Sequence, residues 1–465
     1  MLRTVELPIW ALVLLCLFAA VTFASHFLFP SVRWFFRRRA EKVVAQLNER
    51  LSKPIEPFKL AGRVDTINRL THDPEVAQAI IDYAASTGVP EQVAFETARR
   101  YAREIVPSFS ALLYFKVATR LARWLSRSLY RVRVTGESEA MDGIPADATV
   151  IFVLNHRSNM DYVLVTWLAA RRTALAYAVG EWARRWPLRP LIRAMGGYFV
   201  RRRNLNGLYR KVLARYVQIA TNEGVTQAIF PEGRLSRDGA LHAPKLGILS
   251  YIVANHDPEA ARDVVFVPVA INYERVLEDH VLLAARSQGA KAFRLRWWMV
   301  ARYLEQHIRL RLTGRFSRFG YAAVAFGRPL SLHGFLAISR ADATEDLATE
   351  LLARISDCLP VLPLALVCEA LAQGQTDLSA ISDHLEKRAT ALRAAGYPVH
   401  QIARDPQNSA LIALRMLQSR NMLDLESSQA APKPEGGKLF AFYAKTLPVI
   451  ATQETESFAK EKLEV

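Results

Sequence analysis

Apolar positions change their period twice along the chain. From Ala40 to Tyr130 they recur at helical spacing. Asp73-Pro74-Glu75 opens one helix, and Pro90-Glu91 opens another after the break at Thr87-Gly88. From Phe109 to Tyr130 the pattern is amphipathic. Leu112, Phe115, Ala118, Ala122, Leu125 and Leu129 share one face, and Lys116, Arg120, Arg123, Arg127 and Arg131 line another. A basic amphipathic helix of this kind suits either a core with a solvated face or an anionic lipid surface. The period then shortens. Tyr130 to Thr135 alternates as a strand. Thr149 to Leu154, Ala228 to Phe230, Val264 to Val269 and Tyr321 to Phe326 are apolar runs of strand length. Helical stretches such as Gly207 to Asn222 and Gly247 to Asn255 lie between them. Strands alternating with helices predict an α/β layer, a mixed sheet flanked by helices. After Ala343 the helical period returns. Leu359 to Ala372 is apolar but short and carries Glu369, so it reads as a buried helix rather than a membrane span. Ser427 to Lys438, with Pro432, Pro434, Gly436 and Gly437, reads as a linker, and Phe440 to Leu447 as a last docking helix.

The start of the chain follows another rule. Leu7 to Phe29 is almost purely apolar, long enough for the roughly 20 residues that cross a bilayer. Arg33, Arg37, Arg38, Arg39 and Lys42 follow it, with Trp34, Phe35 and Phe36 at interface depth. The excess of positive charge after the stretch places the remainder on the cytosolic side, at the inner membrane in a bacterium. A cleaved signal peptide ending near Thr22-Phe23-Ala24 is the competing reading, and the basic cluster beyond it opposes export. The expected organisation is therefore an anchor with its basic flank (1–39), a helical region (40–130), an α/β domain (131–335), a second helical region (340–426), a linker (427–438) and a docking helix with its tail (439–465).

Composition narrows the partners. The 465 residues include 61 Lys+Arg and 44 Asp+Glu, a net charge of +17. Such an excess fits nucleic acid, an acidic membrane surface or phosphate-bearing substrates. The anchor argues against nucleic acid. The three cysteines, Cys16, Cys358 and Cys368, form neither a disulfide framework nor a metal spacing, which suits a reducing compartment.

The chemistry concentrates after the run Val150 to Leu154, in Asn155-His156-Arg157-Ser158-Asn159-Met160-Asp161-Tyr162. Ligands collect at the carboxyl edge of the strands in α/β folds. On a continuous helix His156 and Asp161 would lie about 140° apart. They meet only across a strand-to-helix turn, with Asp161 in the helix's first turn. A carboxylate on one imidazole nitrogen fixes the tautomer and leaves the other nitrogen to accept a proton. Taken alone, the pair also suits a capped turn with a structural histidine. Three further segments change that balance. Gly196-Gly197-Tyr198-Phe199-Val200 precedes Arg201, Arg202 and Arg203, and arginine is the preferred fork for phosphate oxygens. Phe230-Pro231-Glu232-Gly233-Arg234-Leu235-Ser236-Arg237 offers an acid, a glycine and two arginines after a strand, with Lys245 shortly beyond. Val267-Pro268 begins a segment that ends in Tyr273-Glu274.

In this order the four segments resemble the four blocks of the glycerolipid acyltransferases, and most of all those of the glycerol-3-phosphate and dihydroxyacetone-phosphate enzymes. His156-Arg157-Ser158-x-Met160-Asp161-Tyr162 matches the first block and Gly196 to Arg202 the second. Pro244-Lys245-x-Gly247 matches the tail of the third, and Val267-Pro268 with Tyr273-Glu274 the fourth. Stretches outside the blocks, such as Ala98 to Ile105, Pro363 to Val367 and Phe442 to Thr446, are also similar. In the third block Leu235 stands where the family has its first arginine, and Arg234 sits one position early, while Arg237 is in register.

The resemblance implies a membrane-bound enzyme that acylates the sn-1 hydroxyl of glycerol 3-phosphate from acyl-CoA or an acyl carrier protein thioester. His156 is then the general base and Asp161 its support, with Glu232 and Gly233 in the catalytic neighbourhood and a backbone N–H near Gly233 for the oxyanion. Arg157, Ser158, Arg201, Arg202, Arg234, Arg237, Lys245 and Pro268 are the implied substrate-binding residues. No metal or organic cofactor is implied; anionic lipids and acyl carrier protein are the expected partners. The start Phe230-Pro231-Glu232-Gly233 is also common in lysophosphatidate enzymes, so lysophosphatidate and dihydroxyacetone phosphate remain alternative acceptors. A hydrolase using Ser158 as nucleophile is a rival of another class, although no G-x-S-x-G elbow is present.

Overall fold

A computed structural model describes residues 8–449, apart from 52, 61, 171, 181–187, 202–204, 255, 257–261, 288–304, 306–308, 310–312, 314–317, 339–342 and 401–404. The side chains of 24–43 and 285–287 also lie outside the description.

The centre is one mixed sheet. Its strands are β1 (Arg131–Thr135), β2 (Thr149–Leu154), β3 (Ala176–Gly180), β4 (Gly197–Val200), β5 (Gln227–Ile229), β6 (Val264–Tyr273), β7 (Tyr321–Phe326) and β8 (Leu330–Ser331). They lie in the order β1-β7-β6-β2-β5-β3-β4, with β8 paired to β6. From β6 to β4 every pairing is parallel. β7 and β8 run antiparallel to β6, and β1 is parallel to β7.

β2 is buried at every position because helices cover both faces. Alternation along it divides the core in two. Val150, Phe152 and Leu154 pack with the helices Met160–Ala169, Pro363–Ala372 and Gly436–Ala444. Ile151 and Val153 pack with Glu91–Ile105, Gly207–Asn222 and Ala343–Asp357. The ten-residue β6 carries Pro268 at its middle. The Pro268 carbonyl accepts from Gly327 N at 2.8 Å, on the side facing β7 and β8. The missing N–H faces that same side, between the last β8 partner, Phe266, and the first β7 partner, Val269, where no ladder bond is required.

Three expectations need correction or restatement. The stretch 427–438 is not a linker. Leu423–Glu426 (β9) and Gln429–Pro432 (β10) form an antiparallel hairpin about Ser427, which takes φ 52°. Pro432 ends β10, and Gly436 opens the following helix so close to the Met422 carbonyl that a Cβ would come within 2.4 Å. The prolines and glycines there punctuate ordered elements. Secondly, the amphipathic stretch begins with a π-helical turn, Leu113–Ala118, before the α-helix Thr119–Leu129. The wider turn shifts the phase. Tyr114, Ala118, Ala122, Ser126 and Leu129 face inward, whereas Leu112 joins Val117, Leu121 and Trp124 on the exposed side. Thirdly, the first helix runs Ile9–Asn48, yet among the described residues no helix is long and apolar enough to cross a membrane. The basic and aromatic flank at 33–42 falls outside the described side chains.

Candidate active site

β2 ends at Leu154, and the helix Met160–Ala169 begins six residues later, with Asp161 in its first turn. The chain reverses between them, and His156 Nδ1 meets Asp161 Oδ2 at 2.9 Å. Asp161 is fully buried and accepts four hydrogen bonds. Three reach Oδ2, from His156 Nδ1 and the backbone N–H groups of Arg157 (2.8 Å) and Ser158 (3.0 Å). The fourth comes from the Tyr273 hydroxyl to Oδ1 at 2.7 Å. With a carboxylate as partner, Nδ1 carries the proton and Nε2 the lone pair. The imidazole is braced by rings: Phe230 lies 4.3 Å away at 33° and Tyr162 stands edge-on at 5.3 Å. Behind the turn, Asn155 exchanges two bonds with the Ile271 backbone, at 2.9 and 2.7 Å, which fixes the end of β2 against β6.

Glu232 joins the octet to the segment after β5. Its carboxylate accepts from His156 N at 2.9 Å and from His242 N at 3.1 Å. Burial pushes its pKa up, against the pull of those N–H groups and of Arg157. Ser236 N returns a bond to the His156 carbonyl at 2.9 Å. Glu232 thus holds backbone in place and lies outside the lining of the cleft. Gly233 takes φ 66° and does line it; its N–H is used within its own turn, donating to the Phe230 carbonyl at 2.9 Å.

His156 stands in the wall of a cleft that is open to solvent. Arg201, Arg210 and Lys245 also line it, and among the described residues no carboxylate does. Among the described residues the Lys245 ammonium makes no hydrogen bond or ion pair, and its stem lies over Gly233. Arg201 gives two of its five N–H donors to Glu104, at 2.8 and 2.6 Å, and sits between the Tyr101 and Tyr209 rings. That pairing pushes the Arg201 pKa up, so its charge is permanent. The rest of the lining is largely apolar: Val179, Val200, Leu213, Ile229 and Ile248 are examples.

Other residues singled out in the sequence lie elsewhere. Arg157 is buried, with Nη1 bonded to the Gly239 carbonyl. Ser158 is buried too, its hydroxyl donating to Glu278 at 2.7 Å, which leaves no open path to it as a nucleophile. Arg234 is exposed and Arg237 half-buried, and neither lines the cleft. Pro268 is in the core of β6. Arg202 is outside the described residues. The structure adds Arg210, Tyr273 and Glu278. Arg210 follows Tyr209 on the helix Gly207–Asn222 and had no signal beyond a basic pair with Lys211. Tyr273 and Glu278 act across more than 100 residues of sequence.

Two family models match the chain: Acyltransferase over residues 131–272, and the glycerol-3-phosphate acyltransferase C-terminal region over 308–441. Among curated proteins, the glycerol-3-phosphate acyltransferase of Shewanella amazonensis is 30% identical over 281 residues, 60% of this chain and 34% of that protein. The enzyme of the same name from Pseudomonas entomophila is 30% identical over 308 residues, 64% of this chain and 35% of the relative. The chain thus spans about a third of the length of the curated relatives it matches. A crystal structure of the 1-acyl-sn-glycerophosphate acyltransferase from Thermotoga maritima covers 63% of this chain and 95% of its own, at 22% identity and a TM-score of 0.34.

Proposed function

We propose, from the premise that this chain belongs to the acyltransferase family those two models describe, that it moves a fatty acyl group from a thioester to the sn-1 hydroxyl of glycerol 3-phosphate. The observation that carries the reading is the placing of His156, held 2.9 Å from the buried Asp161, in the wall of a cleft whose described lining has three cations and no carboxylate. A phosphate dianion needs several such partners when it leaves bulk water. Lys245 and Arg210 are the first choices to hold it, with Arg201 beside them. His156 Nε2 takes the proton of the attacking hydroxyl, the hydroxyl oxygen adds to the thioester carbonyl, and the thiolate of the carrier departs with a proton returned by the imidazolium. Asp161 holds the tautomer and supports the imidazolium, and general-base help from His156 contributes roughly 10²–10⁴-fold. Transfer is direct, without an acyl-enzyme, a metal or an organic cofactor. Acyl-CoA and acyl carrier protein are the donors to compare.

The same reading includes attachment to a membrane at the start of the chain. Ile9, Trp10, Phe18 and Phe23 are each more than 60% exposed, a surface that water disfavours. The side of Leu112–Trp124 that carries Val117 and Leu121 beside Lys116, Arg120 and Arg123 suits an anionic headgroup layer. Purified protein in vesicles, offered equal labelled glycerol 3-phosphate, lysophosphatidate and dihydroxyacetone phosphate, tests the acceptor. Preferential acylation of glycerol 3-phosphate supports the reading; preference for either competitor reassigns the acceptor.

A further inference from the structure

We propose that Glu278 is a positioning residue for this acyl transfer, held from behind by the C-terminal helix Gly436–Ala444. The inference rests on the proposed reaction and deepens it. The turn from His156 to Asp161 must stay closed for the imidazole to keep its carboxylate. One side of the turn is closed by Asp161 itself, through the Arg157 and Ser158 N–H groups. Among the described residues the other corner is closed by Glu278. Its Oε2 accepts from the Ser158 hydroxyl at 2.7 Å, and its Oε1 accepts from Asn159 N at 3.2 Å and Asn159 Nδ2 at 2.9 Å. Ser158 acts as a relay. Its oxygen also accepts from Met160 N at 3.1 Å, which helps to start the helix that carries Asp161. All three donors to Glu278 come from the octet, about 120 residues away in sequence.

The next residue explains how Glu278 is kept in place. Asp279 Oδ2 accepts from the Tyr443 hydroxyl and from Arg420 Nη2, each at 2.6 Å. The Tyr443 oxygen in turn accepts from Val276 N at 2.9 Å, so one side chain clasps both ends of the loop 276–279. The same helix backs a second part of the site. Gly239, whose carbonyl receives the Arg157 guanidinium, lies so close to the Phe442 carbonyl that a Cβ would stand 1.9 Å from it. The helix therefore supports both segments that meet at His156, although it lines no part of the cleft.

The test uses the full chain in vesicles, with Glu278→Ala, Glu278→Gln and Tyr443→Phe. Steady-state kinetics in both substrates are combined with thermal melting and hydrogen exchange of the 155–162 segment. Displacing reacting groups by about 1 Å costs on the order of 100-fold in rate. Glu278→Ala is expected to lower kcat roughly 10–100-fold. KM for glycerol 3-phosphate should hold within about threefold, because Lys245 and Arg210 sit on other elements. Glu278→Gln, which keeps an oxygen for Asn159, should recover part of the loss. Tyr443→Phe should give a smaller fall of the same kind, and exchange at 155–162 should quicken in all three. A Glu278→Ala protein that melts normally with kcat within twofold of wild type overturns the proposal. So does unchanged exchange in Glu278→Gln, which covers the case where the alanine variant does not fold. Wild-type protein with no acyl transfer overturns the functional reading instead, and the exchange result still decides whether Glu278 closes the turn.

Discussion

Replacing Tyr273 by Phe removes one oxygen from the interior and nothing else. That hydroxyl donates to Asp161 Oδ1 at 2.7 Å, while the ring packs against Tyr130 with centroids 5.2 Å apart. Burial and the neighbouring Asp161 charge hold the phenol well above its ordinary pKa, so it remains a donor at any working pH. Without it, Oδ1 has no other donor among the described residues, and Asp161 is fully buried, so water cannot easily replace the bond. A hydrogen bond to a buried charge contributes about 1.5–3 kcal/mol, and the variant should lose that much stability. At about 2–4 °C per kcal/mol for a domain of this size, Tm should fall roughly 3–12 °C. Catalysis should suffer less. Oδ2 keeps its three donors, so the His156 tautomer is unchanged and kcat should drop by less than about tenfold. Melting curves and steady-state rates measure both. An unchanged Tm, or a thousandfold loss of kcat in a normally melting protein, would refute the reasoning.

Other outcomes follow from the same geometry. Lys245→Ala and Arg210→Ala should each raise KM for glycerol 3-phosphate about 10–100-fold, the loss of one charge-assisted bond, with the thioester KM unchanged; equal rises for both substrates would remove them from the phosphate site. Glu274, whose carboxylate accepts from Tyr321 N at 2.7 Å, is pushed up to about 7 by burial. A raised folded-state pKa means that its contribution is intact below the unfolded value near 4.5 and is lost as pH rises to 7. Glu274→Gln should therefore match wild type at pH 4.5 and exceed it by up to about 3 kcal/mol at pH 8 in chemical denaturation, and a pH-independent difference would contradict the assignment. Gly239→Ala places a Cβ at φ 89° against the Phe442 carbonyl and should cost at least about 3 kcal/mol, read as a lower Tm; a neutral effect would mean that the C-terminal helix does not bear on this loop.

How far the chain can be read without its structure depends on the distance over which each feature is determined. β7 coincides with its apolar run from Tyr321 to Phe326, and the helix Gly207–Asn222 lies where the periodicity puts it, since both are local signals. The His156–Asp161 contact was also legible, because five residues allow only one way for the two to meet. β3 was not, since Ala-Tyr-Ala-Val-Gly is too short and too glycine-poor at its start to stand out from a helix end. The hairpin at 423–432 was hidden by prolines and glycines that mark linkers and turns alike. Arg201 and the out-of-register Arg234 are both phosphate candidates in the sequence, yet one lines the cleft, paired with Glu104 97 residues earlier, and the other stays at the surface. Arg210, Tyr273 and Glu278 owe their places to partners on other elements, which no local pattern encodes.

The central claim is that His156, supported by Asp161, removes the proton of a glycerol 3-phosphate hydroxyl as it attacks a thioester. The most direct measurement compares wild type with His156→Ala in vesicles, with labelled glycerol 3-phosphate and acyl-CoA or acyl carrier protein thioester. Wild type should form lysophosphatidate, and His156→Ala should form it at least about 100-fold more slowly while remaining folded at the assay temperature. A His156→Ala protein that still acylates glycerol 3-phosphate at the wild-type rate would contradict it.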